Sequence, residues 1–270
     1  MAAASLSVLV SGRTRCLELE LAVLVVRSLV LCVTDSIAQM PAQFNTTMSI
    51  ERDIRIRAGG ISLRGELKIP EGAKGIVIFA HGSRSSRHSP RNQYVAQVLR
   101  DSQLGTLLFD LLTREEEIAG LYAHHLRFNI RLLAERLMLA SVWVLNSHAG
   151  KIQIGFFGVG TGGGAALRAA AELGDAVSAV VSRSGRPDFA EEGLGRVTSP
   201  TLLIIGQRDT AVIELNREAY SRLPCEKQMQ IVPGASHLFE EPGTLDEVAH
   251  LAAAWFAQHL FTAYEETVYG

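Results

Sequence analysis

Strand-like and helix-like segments alternate along the chain from about residue 49 onward, and this alternation restricts the fold more than any other feature. Short runs of apolar or alternating residues are typical of β-strands, and amphipathic stretches of helical period lie between and after the later runs. The strand-like runs are ERDIRIR, SLRGELKI, GIVIFAHG, LGTLLFDLL, IQIGFFG, AVSAVVSRSG, TLLIIGQRD and KQMQIVPG.

The first two runs are separated only by AGG at residues 58–60, so they should form an antiparallel hairpin. The later runs are almost entirely apolar, as expected for a parallel sheet that helices cover on both faces. We therefore predict an α/β domain with a doubly wound, mostly parallel sheet of about eight strands and an N-terminal antiparallel hairpin. The predicted domain covers residues 48–262, and residues 263–270 form a short tail.

Residues 1–47 form an N-terminal extension of different composition. Its basic start and apolar middle resemble a weak secretory signal, but Glu18, Glu20 and Arg27 interrupt the apolar part. No uncharged stretch reaches the roughly 18–20 residues that a membrane-spanning helix needs. Because a clear strand pattern begins at Met48, we expect an artefactual upstream start. A poor signal peptide and a disordered or peripheral segment are the alternatives, and we expect a cytoplasmic protein without membrane association.

The charge and the cysteines exclude several classes of function. A net charge of -2 and the lack of a basic run argue against a nucleic-acid surface. The three cysteines, Cys16, Cys32 and Cys225, lie far apart without a C-x-x-C pair, which argues against a zinc site and a disulfide framework. We predict no metal and no cofactor, and the oligomeric state stays open.

Chemically capable residues follow three of the predicted strands. The run IQIGFF ends in a glycine-rich turn centred on Gly160, TLLIIGQR ends at Asp209, and His237 follows the last strand. Ligands of doubly wound sheets bind at the carboxyl ends of the strands, so we expect these positions to lie at one edge. A turn, an acid and a base in this chain order match the hydrolases that carry a nucleophile elbow. Asp188 is the rival of Asp209 as the acid.

Six segments resemble, in order along the chain, the α/β-hydrolase superfamily and specifically its dienelactone-hydrolase-like group. They are FAHGSRSSRHSPRN, TLLFDLLTREEE, IGFFGVGTGGGAAL, VVSRSGRPD, TLLIIGQRD and VPGASHLFEEPG. The resemblance covers roughly residues 48–260 and implies the α/β-hydrolase fold. It also implies hydrolysis of a carboxylic ester or lactone, with a small-molecule substrate.

The resemblance implies a role for each residue that matches the pattern of this group. His237 would be the general base, and Asp209 would hold its imidazole in one tautomer. The backbone N–H groups of Ser83 and Thr161 would form the oxyanion hole. Members of the group usually carry Ser or Cys at the centre of the elbow, and that position is Gly160 here.

Glycine at position 160 leaves three functions open. The His237–Asp209 pair can activate a water and hydrolyse the substrate slowly, without a covalent intermediate. Alternatively, the fold is catalytically inactive and binds a ligand or a partner in the same pocket. In the third case another hydroxyl replaces the nucleophile, and the candidates are Ser83, Ser85, Ser86 and Thr161.

The same turn also fits the dinucleotide fingerprint G-x-G-x-x-G through Gly158, Gly160 and Gly163. The next strand ends in Arg183 and Arg186 without an acidic residue, which would suit the 2′-phosphate of NADP. Against this hypothesis, the fingerprint normally opens its fold, whereas several strands precede the turn here. NADP binding is therefore the least favoured alternative.

The loop after the third strand carries the remaining candidates for ligand binding. Its arginines Arg84, Arg87 and Arg91 are suited to a substrate carboxylate or phosphate, and solvated loop arginines are the equally common alternative. His81 precedes this loop, and we expect it to pack beneath the oxyanion loop. We include it as a further candidate for substrate binding.

Overall fold

The computed structural model describes residues 49–82, 85–123, 126–148, 152–190 and 193–260. The predicted N-terminal extension and C-terminal tail lie outside the described residues, as do Ser83 and Arg84. Within the described residues, no helix combines the length and the apolar character needed to cross a bilayer.

One sheet of eight strands forms the centre of the protein, in the order β1-β2-β4-β3-β5-β6-β7-β8. β1 pairs with β2 and β2 pairs with β4 in antiparallel fashion, and the other neighbours are parallel. This sheet confirms the predicted fold class and the predicted hairpin. The strands are β1 Ile50–Ala58, β2 Ile61–Ile69, β3 Gly75–Ala80, β4 Gly105–Phe109, β5 Gln153–Val159, β6 Ala179–Arg183, β7 Thr201–Gly206 and β8 Lys227–Val232.

α-Helices follow most of the parallel strands, as the amphipathic stretches of the sequence predicted. The described residues also contain short 3-10 turns, including Leu126–Phe128 and Pro187–Ala190. The α-helices are α1 Pro90–Asp101, α2 Arg114–Ala123, α3 Ile130–Ser147, α4 Thr161–Leu173, α5 Thr210–Arg222 and α6 Thr244–Leu260.

Helices cover the sheet in two layers, which explains why its central strands are apolar throughout. Every residue of β3, β4, β6 and β7 is buried. α1 and α6 pack against each other, and Val181 of β6 lies in their hydrophobic cluster with Phe256. α3 and α4 pack together as a second pair. Because strand side chains alternate between faces, Arg183 shares the face of Val181.

The parallel strands β3 to β8 all end at the same edge of the sheet. The turn at Gly160 follows β5, Asp209 follows β7, and His237 follows β8. The topology therefore assembles at this edge the three positions that the sequence marks as chemically important.

Candidate active site

The turn between β5 and α4 has the tight backbone expected of a nucleophile elbow, and its flanking glycines are required by close packing. A Cβ on Gly158 would lie 2.6 Å from the Cα of Gly163, and a Cβ on Gly162 would lie 2.0 Å from the carbonyl oxygen of Ala80. These distances are far below ordinary contact. The two flanking positions therefore require glycine.

Gly160 occupies the centre of this turn with φ 55° and ψ -120°. Glycine adopts this left-handed region freely, whereas other residues are strained there. Among the described residues, a Cβ at this position would meet only the Cα of Gly82, at 4.0 Å, within a 4 Å radius. The centre of the elbow thus has room for a side chain, and its backbone conformation is the obstacle to one.

Backbone hydrogen bonds hold the elbow without any side chain at its centre. The N–H of Gly160 donates to the carbonyl of Arg183 at 3.2 Å. The carbonyl of Gly160 accepts from the N–H groups of Gly163 at 3.0 Å and Arg186 at 2.9 Å. The turn is tied to β6 and to the loop after it, so its geometry does not depend on a nucleophile.

His237 and Asp209 form a close pair at the same edge. His237 Nδ1 lies 2.5 Å from Asp209 Oδ2, and the side chains are 49% and 15% exposed. Among the described residues, His237 Nε2 has no hydrogen-bond partner, so this nitrogen is open to a ligand or a water. The rival acid Asp188 is instead held by Arg186 through two bonds, of 2.9 and 2.7 Å.

The loop that carries His237 is anchored on both sides. The N–H of Arg208, next to Asp209, donates to the carbonyl of Ala235 at 2.9 Å. The N–H of Ser236 donates to Glu241 Oε2, also at 2.9 Å. This hydrogen bond lowers the pKa of the Glu241 carboxyl. The imidazole and the carboxylate are therefore presented by backbone segments that are hydrogen-bonded to each other.

Two candidate donors were predicted for an oxyanion hole, and one lies within the described residues. Thr161 is the first residue of α4, so its N–H has no acceptor inside the helix. The positive end of the helix dipole adds to its attraction for negative charge. Gly82 brings the oxyanion loop close to the elbow, because a Cβ there would lie 3.0 Å from the carbonyl oxygen of Val159. Ser83 follows Gly82 directly in the sequence.

Among the described residues, no hydroxyl is hydrogen-bonded to His237. Ser85 Oγ accepts from the Asn92 side chain at 3.4 Å, and Ser86 Oγ accepts from the N–H of His88 at 3.3 Å. Thr161 Oγ1 is buried without a partner. Ser85, Ser86 and Thr161 are therefore not engaged with the base as a substitute nucleophile would be.

His81 is buried and accepts a hydrogen bond from the N–H of Leu111 through Nε2, at 3.1 Å. Burial lowers the pKa of His81, and a neutral ring is required for this acceptor role. His81 is thus buried, while its packing beneath the oxyanion loop and its contact with substrate stay predictions. Its ring also lines a small, mostly apolar cavity with Gly82, Ser85, Leu111, Leu112, Glu117 and Leu133.

The described arginines of the oxyanion loop are engaged with carboxylates. Arg87 donates to Asp110 through both its backbone N–H and its guanidinium, which ties the loop to the end of β4. Arg91 forms an ion pair with Glu240 at 3.0 Å. Binding of a substrate anion by Arg87, Arg91 and Arg84 stays a prediction.

Arg183 is a residue of this edge that the sequence analysis considered only for nucleotide binding. It ends β6, and its side chain is almost completely buried. A signal for it exists in the sequence, since a permanently charged residue ends an apolar strand. Among the described residues, no group of three or more His, Cys, Asp or Glu side chains is arranged to hold a metal ion.

The position of Gly158, Gly160 and Gly163 in the sheet differs from the position of the fingerprint in dinucleotide-binding folds. In the dinucleotide-binding fold this fingerprint follows the first strand of an order 3-2-1-4-5-6. Here the glycine turn follows β5, which lies between β3 and β6. The tight packing of Gly163, whose Cβ would lie 2.6 Å from Ser182 Oγ, explains this glycine without a nucleotide.

Comparison with known proteins shows the family to which the chain belongs. No protein-family model matches the chain. The crystal structure of a dienelactone hydrolase from Anabaena variabilis is 52% identical, with a TM-score of 0.76. The match covers 78% of this chain and 99% of that one. The chain belongs to the dienelactone-hydrolase-like group of α/β-hydrolases. Membership of this group supports the assignment of the protein as a hydrolase.

More distant structures share the fold. Est1E from Butyrivibrio proteoclasticus is 16% identical with a TM-score of 0.63, over 77% of this chain and 98% of its own. A dienelactone hydrolase-like promiscuous phosphotriesterase from metagenomic libraries is 17% identical, with a TM-score of 0.59. The match covers 78% of this chain and 99% of that one.

Two curated Mycobacterium tuberculosis proteins, from different strains, are also similar in sequence. Each is named "Putative phosphoribosyl transferase" and is 51% identical over 211 residues, which is 78% of this chain. The chain spans about half (47%) of the length of these relatives. Their name therefore describes proteins with a large part that this chain does not match.

Proposed function

We propose that the protein is a hydrolase of carboxylic ester or lactone bonds whose nucleophile position is vacant, so that activated water replaces the covalent step. The observation that carries this proposal is the 2.5 Å contact between His237 Nδ1 and Asp209 Oδ2. This pair lies at the edge of the sheet where the turn at Gly160 follows β5. The base and its orienting acid are thus in contact, while the residue between Gly158 and Gly162 has no side chain.

The base, its acid and the two N–H donors each have a defined task in the proposed reaction. His237 Nε2 takes a proton from a water as its oxygen attacks the carbonyl carbon, and Asp209 stabilises the resulting imidazolium. The N–H groups of Thr161 and Ser83 donate to the oxyanion of the tetrahedral intermediate. When the intermediate collapses, the imidazolium returns the proton to the leaving alkoxide. The acid and the alcohol are then released, and a lactone gives one hydroxy acid.

The expected rate is low. Loss of a triad serine typically lowers kcat about 10⁶-fold, and the oxyanion hole and substrate binding retain a ~10³–10⁴-fold rate enhancement over water. Gly160 removes the serine here, and we expect general-base activation of a water by His237 to raise the rate about 10²–10⁴-fold above that residual range.

A catalytically inactive binding protein is the second candidate. It is supported by the lack, among the described residues, of a Ser or Thr hydroxyl hydrogen-bonded to His237. In that case the edge would bind an ester-like ligand or a partner and leave it unchanged. NADP binding at the glycine turn is a weaker third candidate, and a gain in thermal stability with NADPH would support it.

Hydrolysis of p-nitrophenyl acetate by the wild type and by His237→Ala separates the first two candidates. We expect His237→Ala to lower the rate about 10²–10⁴-fold, as is typical for removal of a general base. The wild type should show no burst and no covalent adduct with a serine-directed phosphonate. His250→Ala, which removes an exposed histidine of α6, is the matched control. Equal rates in all three proteins would contradict the hydrolase and favour the binding protein.

A further inference from the structure

Arg183 is a buried cation that the proposed reaction does not use. Its side chain is 3% exposed, and its Nε and Nη1 are fully buried without a hydrogen-bond partner in the described part of the chain. Among the described residues it forms no ion pair. The contrast with Arg136, which is 5% exposed, is clear. Arg136 pairs with Glu116 at 2.5 Å and donates to the carbonyl of Leu111 at 2.6 Å.

Arg183 lies at the same edge of the sheet as the candidate active site. Its carbonyl accepts the N–H of Gly160, so its backbone adjoins the elbow. Its side chain points to the α1 and α6 face, where the guanidinium carbon lies 5.9 Å from the ring centroid of Phe239. Phe239 is two residues beyond His237. The charge of Arg183 is thus placed beneath the loop that carries the base.

Nearby carboxylates are engaged by other groups and do not neutralise Arg183. Burial, and to a lesser degree the positive charge of Arg91, lowers the pKa of Arg183 from 12.5 to about 10, so it stays protonated at neutral pH. An uncompensated buried charge is costly, and proteins normally pair it. The engaged pairs of the surrounding loops are Asp188 with Arg186, Asp209 with His237, Glu240 with Arg91, and Glu241 with Arg208.

The N-terminus of α1 adds positive potential on the same face. Its first turn contains no acidic residue, and the side chain of Ser89 makes no capping bond. Arg91 is the second residue of this helix, and it is close enough to Arg183 to lower the pKa of Arg183. Uncapped helix N-termini and guanidinium groups both favour oxyanions.

We infer that Arg183 anchors an oxyanion-binding site at the carboxyl edge of the sheet, which takes the phosphate or carboxylate group of a ligand. The bound anion supplies the counter-charge that the surrounding loops lack and accepts hydrogen bonds from the unpartnered guanidinium nitrogens. The site does not depend on hydrolysis, so it stands whether the protein turns over an ester or only binds one.

Thermal unfolding in sodium phosphate, sodium acetate and sodium chloride of equal ionic strength tests this site. The wild type should gain about 2–4 °C in Tm over its value in chloride once the binding anion reaches roughly five times its Kd. Arg183→Met should lose this gain. It should also raise the Tm in chloride, because a buried, uncompensated charge is removed. A larger gain with phosphate assigns a phosphate site, and a larger gain with acetate assigns a carboxylate site.

The matched control is Arg131→Met, which removes an equal charge from an exposed ion pair on α3 and should keep the gain. This control matters because phosphate stabilises proteins nonspecifically by exclusion from their surface. Equal gains in the wild type and in Arg183→Met would overturn the inference. If Arg183→Met does not fold, calorimetric titration of the wild type and Arg183→Lys with phosphate and with acetate decides it. Arg183→Lys should weaken the binding of the preferred anion about tenfold, and no binding of either anion to the wild type would overturn the site.

Discussion

The two halves of the candidate active site differ in what holds them in place. The half at Asp209 and His237 depends on side chains, since an imidazole and a carboxylate contact each other at 2.5 Å. The half at Gly160 depends on the backbone, since hydrogen bonds to Arg183, Gly163 and Arg186 fix the turn. Consequently, the shape of the second half does not require a side chain at its centre, whereas the arrangement of the first half requires both of its side chains.

This difference explains how a hydrolase fold can persist with glycine at the centre of its elbow. The flanking glycines and the neighbouring strands set the turn, and glycine at the centre removes the strain of its left-handed conformation. Stability and activity are therefore opposed at one position.

Replacing the acid tests the half that depends on side chains. In a Gly160→Ser background, Asp209→Asn should lower kcat for p-nitrophenyl acetate about 10⁴-fold, because the amide favours the wrong imidazole tautomer. Asp188→Asn in the same background should leave kcat within about twofold, since Asp188 pairs with Arg186 and not with His237. If Asp188→Asn causes the larger loss, our assignment of the acid is wrong.

Replacing a flanking glycine tests the half that depends on the backbone. Gly162→Ala places a Cβ 2.0 Å from the carbonyl oxygen of Ala80, so a backbone segment must move. We expect the free energy of unfolding to fall by about 3–5 kcal/mol in urea denaturation. Gly195→Ala, where a Cβ meets nothing within 4 Å, should change it by about 0.5 kcal/mol or less. A small effect at Gly162 would contradict the tight elbow.

A serine at the centre of the elbow should have a moderate stability cost. Gly160→Ser imposes a side chain on φ 55°, and we expect the free energy of unfolding to fall by about 1–3 kcal/mol. Gly174 is a matched control, because it has φ 55° and ψ -130° in open space at the end of α4. Gly174→Ser should cost a similar amount and create no activity. A much larger cost at Gly160 would mean that its surroundings are less open than its 4.0 Å clearance indicates.

The smallest expected effect is a fall in the stability of the protein at acidic pH, caused by the buried His81. Burial lowers the pKa of His81 below 6.5, outweighing the hydrogen bond to Gly82 and the charge of Asp110, which raise it. Between the lowered pKa and about pH 6.5 the unfolded chain binds more protons than the folded protein. The stability from the neutral ring is therefore complete above about pH 6.5 and is lost as the pH falls.

Thermal unfolding between about pH 7 and pH 5 measures this effect against a variant. His81→Gln can still accept the N–H of Leu111 but does not titrate, so its Tm should fall less over this range. His259, whose pKa burial also lowers, is present in both proteins and contributes equally. Parallel curves for the two proteins would contradict a buried, neutral His81.

The sequence predicted the strands well because burial on both faces leaves a strong pattern. GIVIFA and TLLIIG became β3 and β7 with every residue buried. The sequence did not decide between a helix start and a loop at residues 115–117, because α2 is short and carries three consecutive glutamates in its first turn. A signal was present, since Thr113 and Glu116 form a reciprocal capping box.

The sequence also located the positions of the candidate site, but not the side-chain partners within it. Strand ends can be read from hydrophobic pattern, which is why Gly160, Asp209 and His237 were found. Which carboxylate contacts which cation depends on loop conformation, and pattern carries no information on that. The engagement of Arg91 by Glu240, and the lack of a described partner for Arg183, therefore emerged only from the structure.

The measurement that tests the central claim most directly is hydrolysis of p-nitrophenyl acetate by the wild type, Gly160→Ser and Gly160→Ser/His237→Ala. We predict weak activity in the wild type and a gain of about 10²–10⁴-fold in Gly160→Ser, because the water activated by His237 already supplies part of the ~10⁶-fold rate that a triad serine contributes. The double variant should lose that gain. If the wild type is already fully active and Gly160→Ser changes little, or if Gly160→Ser creates no activity, Gly160 is not the vacant nucleophile position of an otherwise complete esterase site.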